Sequence, residues 1–230
     1  MSKSLVLLSG GLDSSFGFWR EAQSASVALA ITFDYGQRAA PAELKAAAAL
    51  CERAGVEHLI LKLPFFSLFS QSSLTDALKP LPIRDDVAID NLVQSEATMK
   101  SVWVPNRNGI FLNIAAGVAE GRGIERVMPG FNIEEAATFP DNSEAYLQSL
   151  NQSFEFSTLG KVKVHCHSTA MSKTEIAVEG QKIQLPFELL WPCYQNGPTW
   201  CGDCESCLRS RRAFREAGVS DSQLPWSKDL

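Results

Sequence analysis

Ser9-Gly10-Gly11-Leu12-Asp13-Ser14-Ser15 follows a short apolar run, Leu5-Val6-Leu7-Leu8, and precedes a helical segment starting near Phe16. Strand, glycine turn and helix together form a ready anion site, because the first N–H groups of a helix have no partner of their own. Two adjacent glycines let the backbone turn sharply and come close to a ligand. Ser9, Ser14 and Ser15 add hydroxyl donors. The stretch lacks the Gly-Lys-Ser/Thr ending of a Walker A loop and the third glycine of a dinucleotide fingerprint. A plain strand-to-helix turn, capped by Asp13 or Ser14, would use the same residues.

Outward from this loop the elements alternate. Strands are predicted over 4–8, 27–33 and 57–61, with helices over 14–23 and 41–54 between them and Gly55 as a helix stop. This rhythm predicts a doubly wound, mostly parallel α/β sheet covered on both faces, with ligands beyond the C-terminal strand ends. Asp34-Tyr35-Gly36-Gln37-Arg38 follows the second strand and shares that end. The segment 64–100, with Pro80, Pro82 and the charged patch Arg84-Asp85-Asp86, breaks the rhythm. It reads as an insertion, partly mobile, either a lid or a surface excursion. Order returns with a helix over 110–120, a strand over 125–128, a polar loop over 134–143, a helix over 144–157 and a strand over 162–165. Ser172-Lys173-Thr174-Glu175 has the form of a capping box. Two regions are expected: an α/β body over 1–190 with the insertion, and a C-terminal region over 191–230 packed on it.

The chain has 230 residues and a net charge of −5, from 21 basic and 26 acidic residues. That balance argues against broad nucleic-acid binding, which needs a basic surface. No apolar run approaches the roughly 20 residues of a membrane span. With no export signal at the N-terminal strand, the cysteines are expected in a reducing cytoplasm.

Four of the six cysteines form the pattern C-x7-C-x2-C-x2-C at Cys193, Cys201, Cys204 and Cys207. Four thiolates suit a closed tetrahedral zinc site of structural type, with Gly202 allowing a tight knuckle. An iron–sulfur cluster or two disulfides would draw on the same residues. Cys51 lies in an alanine-rich helix and reads as a buried small hydrophobe. His165, Cys166 and His167 look like a metal group, but on a strand Cys166 points away from the two histidines.

Arg107, after Pro105 and before a helix, is placed for an anion contact, as is Lys173 at a capped helix start. Phe131-Asn132 and Phe139-Pro140-Asp141-Asn142 bring aromatic rings, amides and a carboxylate beyond a strand end. Such a set can sandwich a flat heterocycle and read its edge.

Taken together, these stretches resemble a known family. Ser9 to Ser14 resembles the pyrophosphate loop of the N-type ATP pyrophosphatases. Asn106 to Asn108 in Val-Pro-Asn-Arg-Asn, the stretch from Phe33 to Arg38, Phe139-Pro-Asp141, Lys173 in Ser-Lys-Thr-Glu and the four cysteines narrow the match. They are similar to the QueC family of 7-deazaguanine biosynthesis, over nearly the whole chain. The resemblance implies an adenine nucleotide α-hydrolase-like fold and a homodimer. It also implies an ATP-dependent ligase that turns 7-carboxy-7-deazaguanine and ammonia into the nitrile through acyl-adenylate and amide intermediates. Leu8, Ser9, Gly10, Gly11, Leu12, Asp13, Ser14, Ser15, Phe33 and Arg38 would then hold ATP, with Mg²⁺ at Asp13. Arg107 and Lys173 would offset phosphate charge, and Phe131, Asn132, Phe139 and Asp141 would hold the deazaguanine. The four cysteines carry over as zinc ligands.

The commonest family pattern has Cys and Arg where this chain has Asn142 and Ser143, and Gly where it has Asn106. The alternative that follows is an adenylating enzyme that joins a deazaguanine-type acid to a different amine, including one on a macromolecule. A tRNA-thiolating relative is a further reading, opposed by the acidic charge and by the lack of an evident cysteine at an active strand end. A non-catalytic zinc module for nucleic acid is another. It would use Arg209, Arg211, Arg212 and Arg215, although Arg211 and Arg215 share one helix face as ordinary solvated residues also do.

Overall fold

The computed structural model describes residues 2–84 and 98–227. Its strands are β1 (Ser4–Leu7), β2 (Val27–Asp34), β3 (His58–Lys62), β4 (Arg126–Met128) and β5 (Lys163–Val164). All four pairings are parallel, in the order β3-β2-β1-β4-β5. The helices are α1 (Leu12–Gln23), α2 (Ala40–Ala54), α3 (Arg107–Gly121), α4 (Ile133–Ala136), α5 (Glu144–Ser157), α6 (Lys173–Lys182) and α7 (Glu205–Glu216).

Strand alternation divides the apolar residues between two cores. Leu5, Leu29, Ile31 and Val127 face the layer that contains Leu112 and Ala116 of α3 and Leu147 and Phe154 of α5. Val6, Ala30 and Met128 face Phe16 of α1, Leu50 of α2, Ile176 of α6 and Phe214 of α7. Burial on both faces is why the central strands β1 and β2 are apolar runs with little polar alternation. The expected doubly wound sheet is present. The strand order reverses at β1, which has β2 on one side and β4 on the other, and a crevice opens there.

Local details refine the expected boundaries. Helix α1 begins at Leu12, with Gly11 as its N-cap and no side-chain cap. The capping box of Ser172 and Glu175 is formed in full. The expected polar loop after β4 contains the short helix α4, capped by the side chain of Asn132. In the insertion, Pro64–Leu68 makes a 3-10 turn. Ile83 forms an isolated bridge with Cys204, and Arg84 pairs with Asp203 at 3.0 Å. Asp85, Asp86 and the rest of 85–97, on which the lid reading partly rests, lie outside the described residues. Among the described residues, no helix is long and apolar enough to cross a membrane.

Candidate active site

The glycine loop leaves the sheet at the switch point. Leu8 still donates to the Ile31 carbonyl at 2.8 Å, so the loop starts aligned with β2. Gly10 then takes φ +84°, and a Cβ there would lie 2.8 Å from the Ala46 Cβ. Only glycine meets both demands without strain. The Gly10 carbonyl accepts the Trp191 N–H at 2.7 Å, which ties the loop to the chain before Cys193. Ser9 and Ser14 hydroxyls share a hydrogen bond of 2.9 Å. Gly130, after β4, closes the other side. A Cβ on it would fall 2.3 Å from the Ser14 nitrogen, so the β4 loop rests directly on the start of α1.

At the first turn of α1, Asp13 meets Lys173 from the start of α6, with Oδ2 to Nζ at 2.5 Å. Glu135 of α4 approaches the same ammonium at 2.8 Å. Lys173 is 4% exposed. Burial works to lower its pKa, but Asp13 and Glu135 outweigh burial and hold it above the ordinary lysine value. Burial raises the Asp13 carboxyl above the ordinary aspartate range, against the pull of Lys173. The second oxygen of Asp13, Oδ1, is buried with no hydrogen-bond partner. A buried, unpaired carboxylate oxygen is costly unless something in the working state pairs with it. That oxygen, at the edge of the glycine loop, fits a divalent cation.

A cavity of about 250 Å³ opens over these groups. The stretch from Leu8 to Ser14 borders it, Gly10 apart, and so does Phe33. Arg107, Lys173, Phe131, Phe139 and Asp141 border it too. Gly10, Ser15, Arg38 and Asn132 do not border it. Ser15 is fully buried, and its Oγ has no partner. Arg38 turns to the insertion and donates to the carbonyls of Asp76, at 2.6 Å, and Lys79. Asn132 caps α4 through Oδ1, which accepts the Glu135 N–H at 2.9 Å, while its Nδ2 is buried with no partner.

Arg107 begins α3 and donates to the Tyr35 hydroxyl at 3.5 Å and to Asn108 at 3.3 Å. Burial opposes its charge, but Tyr35, Asp141 and Glu135 hold its pKa above the usual arginine value. Burial raises the Asp141 carboxyl, against Arg107 and the Asn142 amide. Phe139 stacks on Trp103, with centroids 6.1 Å apart and planes at 11°. Phe33 stacks on Phe111 at 4.2 Å.

Several cavity residues escaped the sequence reading. Glu43 hangs from the first turn of α2, with Oε2 held by the Gln37 amide at 2.8 Å. Burial pushes its carboxyl up to about 7. Glu135, Trp103 and Phe111 were also unmarked, and Tyr35 was marked only as part of the stretch after the second strand. Glu134 and Glu135 carry no motif; a capping asparagine two residues before Glu134 was the only available signal.

The four C-terminal cysteines come together, with their sulfurs within 4.8 Å of one another. Cys201 and Cys207 sulfurs are 3.8 Å apart. Sulfurs arranged tetrahedrally at ~2.3 Å from one ion have edges of about 3.8 Å. A disulfide needs a separation near 2.05 Å, and all six cysteines are unpaired. The set therefore fits one metal ion, and it is the one such group among the described residues. His165 and His167 do share a face, with ring centroids 5.0 Å apart, but His167 pairs with Glu21 at 2.7 Å. Cys166 faces the other way, against the Phe131 backbone.

Comparison with known proteins agrees with this geometry. The family model described as "Queuosine biosynthesis protein QueC" matches residues 3–218. The chain is 49% identical to the 7-cyano-7-deazaguanine synthase of Bdellovibrio bacteriovorus, over 96% of each chain. It is 46% identical to the enzyme of that name from Desulforudis audaxviator, over 94% of this chain and 98% of the relative. For that of Methanosarcina mazei the identity is 43%, over 96% and 97%. With a site of this kind and relatives this similar over almost their full lengths, the chain belongs to the QueC family of queuosine biosynthesis proteins.

Proposed function

We propose that the chain is an ATP-dependent carbon–nitrogen ligase that makes 7-cyano-7-deazaguanine from 7-carboxy-7-deazaguanine and ammonia. A carboxylate oxygen of the substrate attacks the α-phosphorus of ATP and pyrophosphate leaves. Ammonia attacks the resulting acyl adenylate, AMP leaves, and loss of a proton gives the amide. The amide oxygen attacks a second ATP in the same way. Loss of AMP and of the remaining nitrogen-bound protons leaves the nitrile.

The observation that carries this reading is one cavity shared by the glycine loop, the Asp13–Lys173–Glu135 triad and the Arg107–Asp141 side. The loop N–H groups and Ser9 and Ser14 hold phosphate oxygens. Lys173 and Arg107 stand where negative charge grows as pyrophosphate departs. Asp13 Oδ1 would hold Mg²⁺, which supplies charge neutralisation of the phosphates. Phe139, backed by Trp103, offers a ring face for the deazaguanine, and Asp141 offers an acceptor for its N–H edge. Phe131 borders the same side, and Asn132 shapes it through α4. Catalysis on this account is positioning and electrostatics, with no covalent enzyme nucleophile.

The cysteine set would hold Zn²⁺ as a structural ion, which pins the C-terminal region, 191–230, to the body, 1–190. Six unpaired thiols suit a reducing cytoplasm. A homodimer is expected from the family. The reading with a different amine draws no support from the relatives, which share the synthase name.

The test is incubation with the carboxylate, ATP and ammonium, read by mass spectrometry. Nitrile and AMP are expected together, and Asp13→Ala is expected to abolish both while bound metal is retained. AMP without nitrile would move the conclusion to another amine. Near-normal turnover in Asp13→Ala would remove the cation role.

A further inference from the structure

Two sets of contacts meet at Glu134. One carboxylate oxygen, Oε1, accepts the backbone N–H of Lys173 at 2.8 Å. The other, Oε2, accepts from Arg212 at 2.5 Å and lies 3.9 Å from Arg209. Both arginines belong to α7, which has Cys204 as its N-cap and Cys207 in its first turn. Arg209 is braced by Glu205 of the same turn at 2.9 Å. Farther along, Glu216 accepts from Thr174, next to Lys173, at 2.6 Å. The start of α6 is thus gripped by the helix that carries half of the cysteine set.

Glu135 extends the line to the glycine loop, since it and Asp13 share the Lys173 ammonium. Helix α4 therefore presents two successive carboxylates, one to the backbone of Lys173 and one to its side chain. A four-residue helix has too few internal hydrogen bonds to hold that position alone. Glu134 is 18% exposed and Arg212 24%, so water screens this pair less than a surface pair.

We propose that Glu134 is a positioning residue that couples the cysteine cluster to the glycine loop, so that metal at one and nucleotide at the other stabilise each other. The inference rests on the placement of ATP phosphates against Lys173. Metal at the cluster fixes the first turn of α7, α7 fixes Glu134, and Glu134 fixes the start of α6. Coupling of this kind is reciprocal: what metal does for nucleotide binding, nucleotide does for metal retention. Misplacement of a phosphate ligand by about 1 Å lowers turnover by around a hundredfold.

The experiment uses the full metal-loaded chain. Metal transfer to the chelator 4-(2-pyridylazo)resorcinol is followed by absorbance, with and without the uncleavable α,β-methylene analogue of ATP in excess Mg²⁺. The analogue is expected to slow metal loss at least ~5-fold in the natural sequence. In Glu134→Ala the slowing is expected to vanish and the affinity of the metal-loaded chain for the analogue to fall about fivefold, while kcat for AMP formation falls ~10- to 100-fold. Glu134→Gln keeps the acceptor for the Lys173 N–H and loses the charge. It is expected to restore part of the turnover and part of the slowing, and it carries the test if the alanine variant does not fold. Absence of slowing in the natural sequence, or equal slowing in both Glu134 variants, overturns the proposal. Lys173→Ala separates the two readings. If it keeps AMP formation, the placement of ATP fails, and the coupling argument with it. If it loses AMP formation while Glu134→Ala behaves as the natural chain, only the coupling fails.

Discussion

Lys173→Met keeps the length of the side chain and removes the ammonium between Asp13, at 2.5 Å, and Glu135, at 2.8 Å. Two carboxylates then face each other without their cation. Breaking a buried pair in this way costs ~3–5 kcal/mol, most of it from the charge left behind. The side chain of Asp13 is 11% exposed and that of Glu135 35%, so water relieves the second more than the first. The lower end, ~3 kcal/mol at neutral pH, is the expected cost. For a chain of this size each kcal/mol moves Tm by about 2–4 °C, which gives a fall of roughly 6–12 °C. The sign of the pH dependence is fixed as well. In the natural chain the Lys173 pKa is raised, so its contribution is complete below the ordinary lysine value and is lost only as pH rises beyond it. Between pH 5.5 and 8 that contribution is constant. In the variant, the Asp13 pKa, already raised by burial, rises further. The folded variant then takes up a proton more readily than the unfolded chain, and part of the lost stability returns as pH falls. Thermal unfolding at pH 5.5 and pH 8 is the assay. A larger Tm loss at pH 8 is expected, together with a fall in AMP formation of about 10²- to 10³-fold. Equal losses at both pH values would refute the shared-ammonium arrangement.

Gly130→Ala places a Cβ 2.3 Å from the Ser14 nitrogen and 2.7 Å from the Asp13 carbonyl carbon, so the β4 loop must move off α1. AMP formation is expected to fall at least ~10-fold with metal content unchanged, and normal turnover would show that the contact is not required. Glu43→Gln tests the buried carboxyl whose pKa is pushed up to about 7. Stability from an acid with a raised pKa falls as pH rises from the ordinary carboxylate range to about 7 and is level above it. The glutamine variant lacks this titration, so its urea midpoint is expected to gain on the natural chain between pH 5 and pH 8. A pH-independent difference would contradict the assignment.

What was legible in the sequence was mostly local. The strand before Ser9, the helix after it and the capping box at Ser172 follow from short-range rules, and the structure has all three. The cysteine set was legible because ligand spacing is itself a distance constraint. Convergence was not legible. Glu135 reaches Lys173 only because α4 folds back across the end of the sheet, and nothing near Glu135 in the chain encodes that. Arg38 stands beside a strand end, as a ligand residue would, but its Nη2 donates to the Asp76 and Lys79 carbonyls of the insertion, which nothing near Arg38 in the chain encodes. Tyr35 lay in a stretch legible as a ligand end, but its pairing with Arg107 was not legible, and Glu43 reads as an ordinary helix residue without Gln37 beside it.

The strand order has a consequence for synthesis of the chain. Strand β1 ends at Leu7, and its neighbour β4 begins at Arg126. At ~5–20 residues per second the ribosome needs about 6–24 s to make what lies between. For that interval β2, itself backed by β3, can cover one edge of β1, while the other stays an unpaired apolar edge. The strand that carries the glycine loop is thus the first made and among the last enclosed. Sheets with such long-range pairings fold slowly and expose sticky edges on the way. The nascent chain is most open to misassociation during those seconds, and its glycine loop acquires its second wall only once β4 has been made.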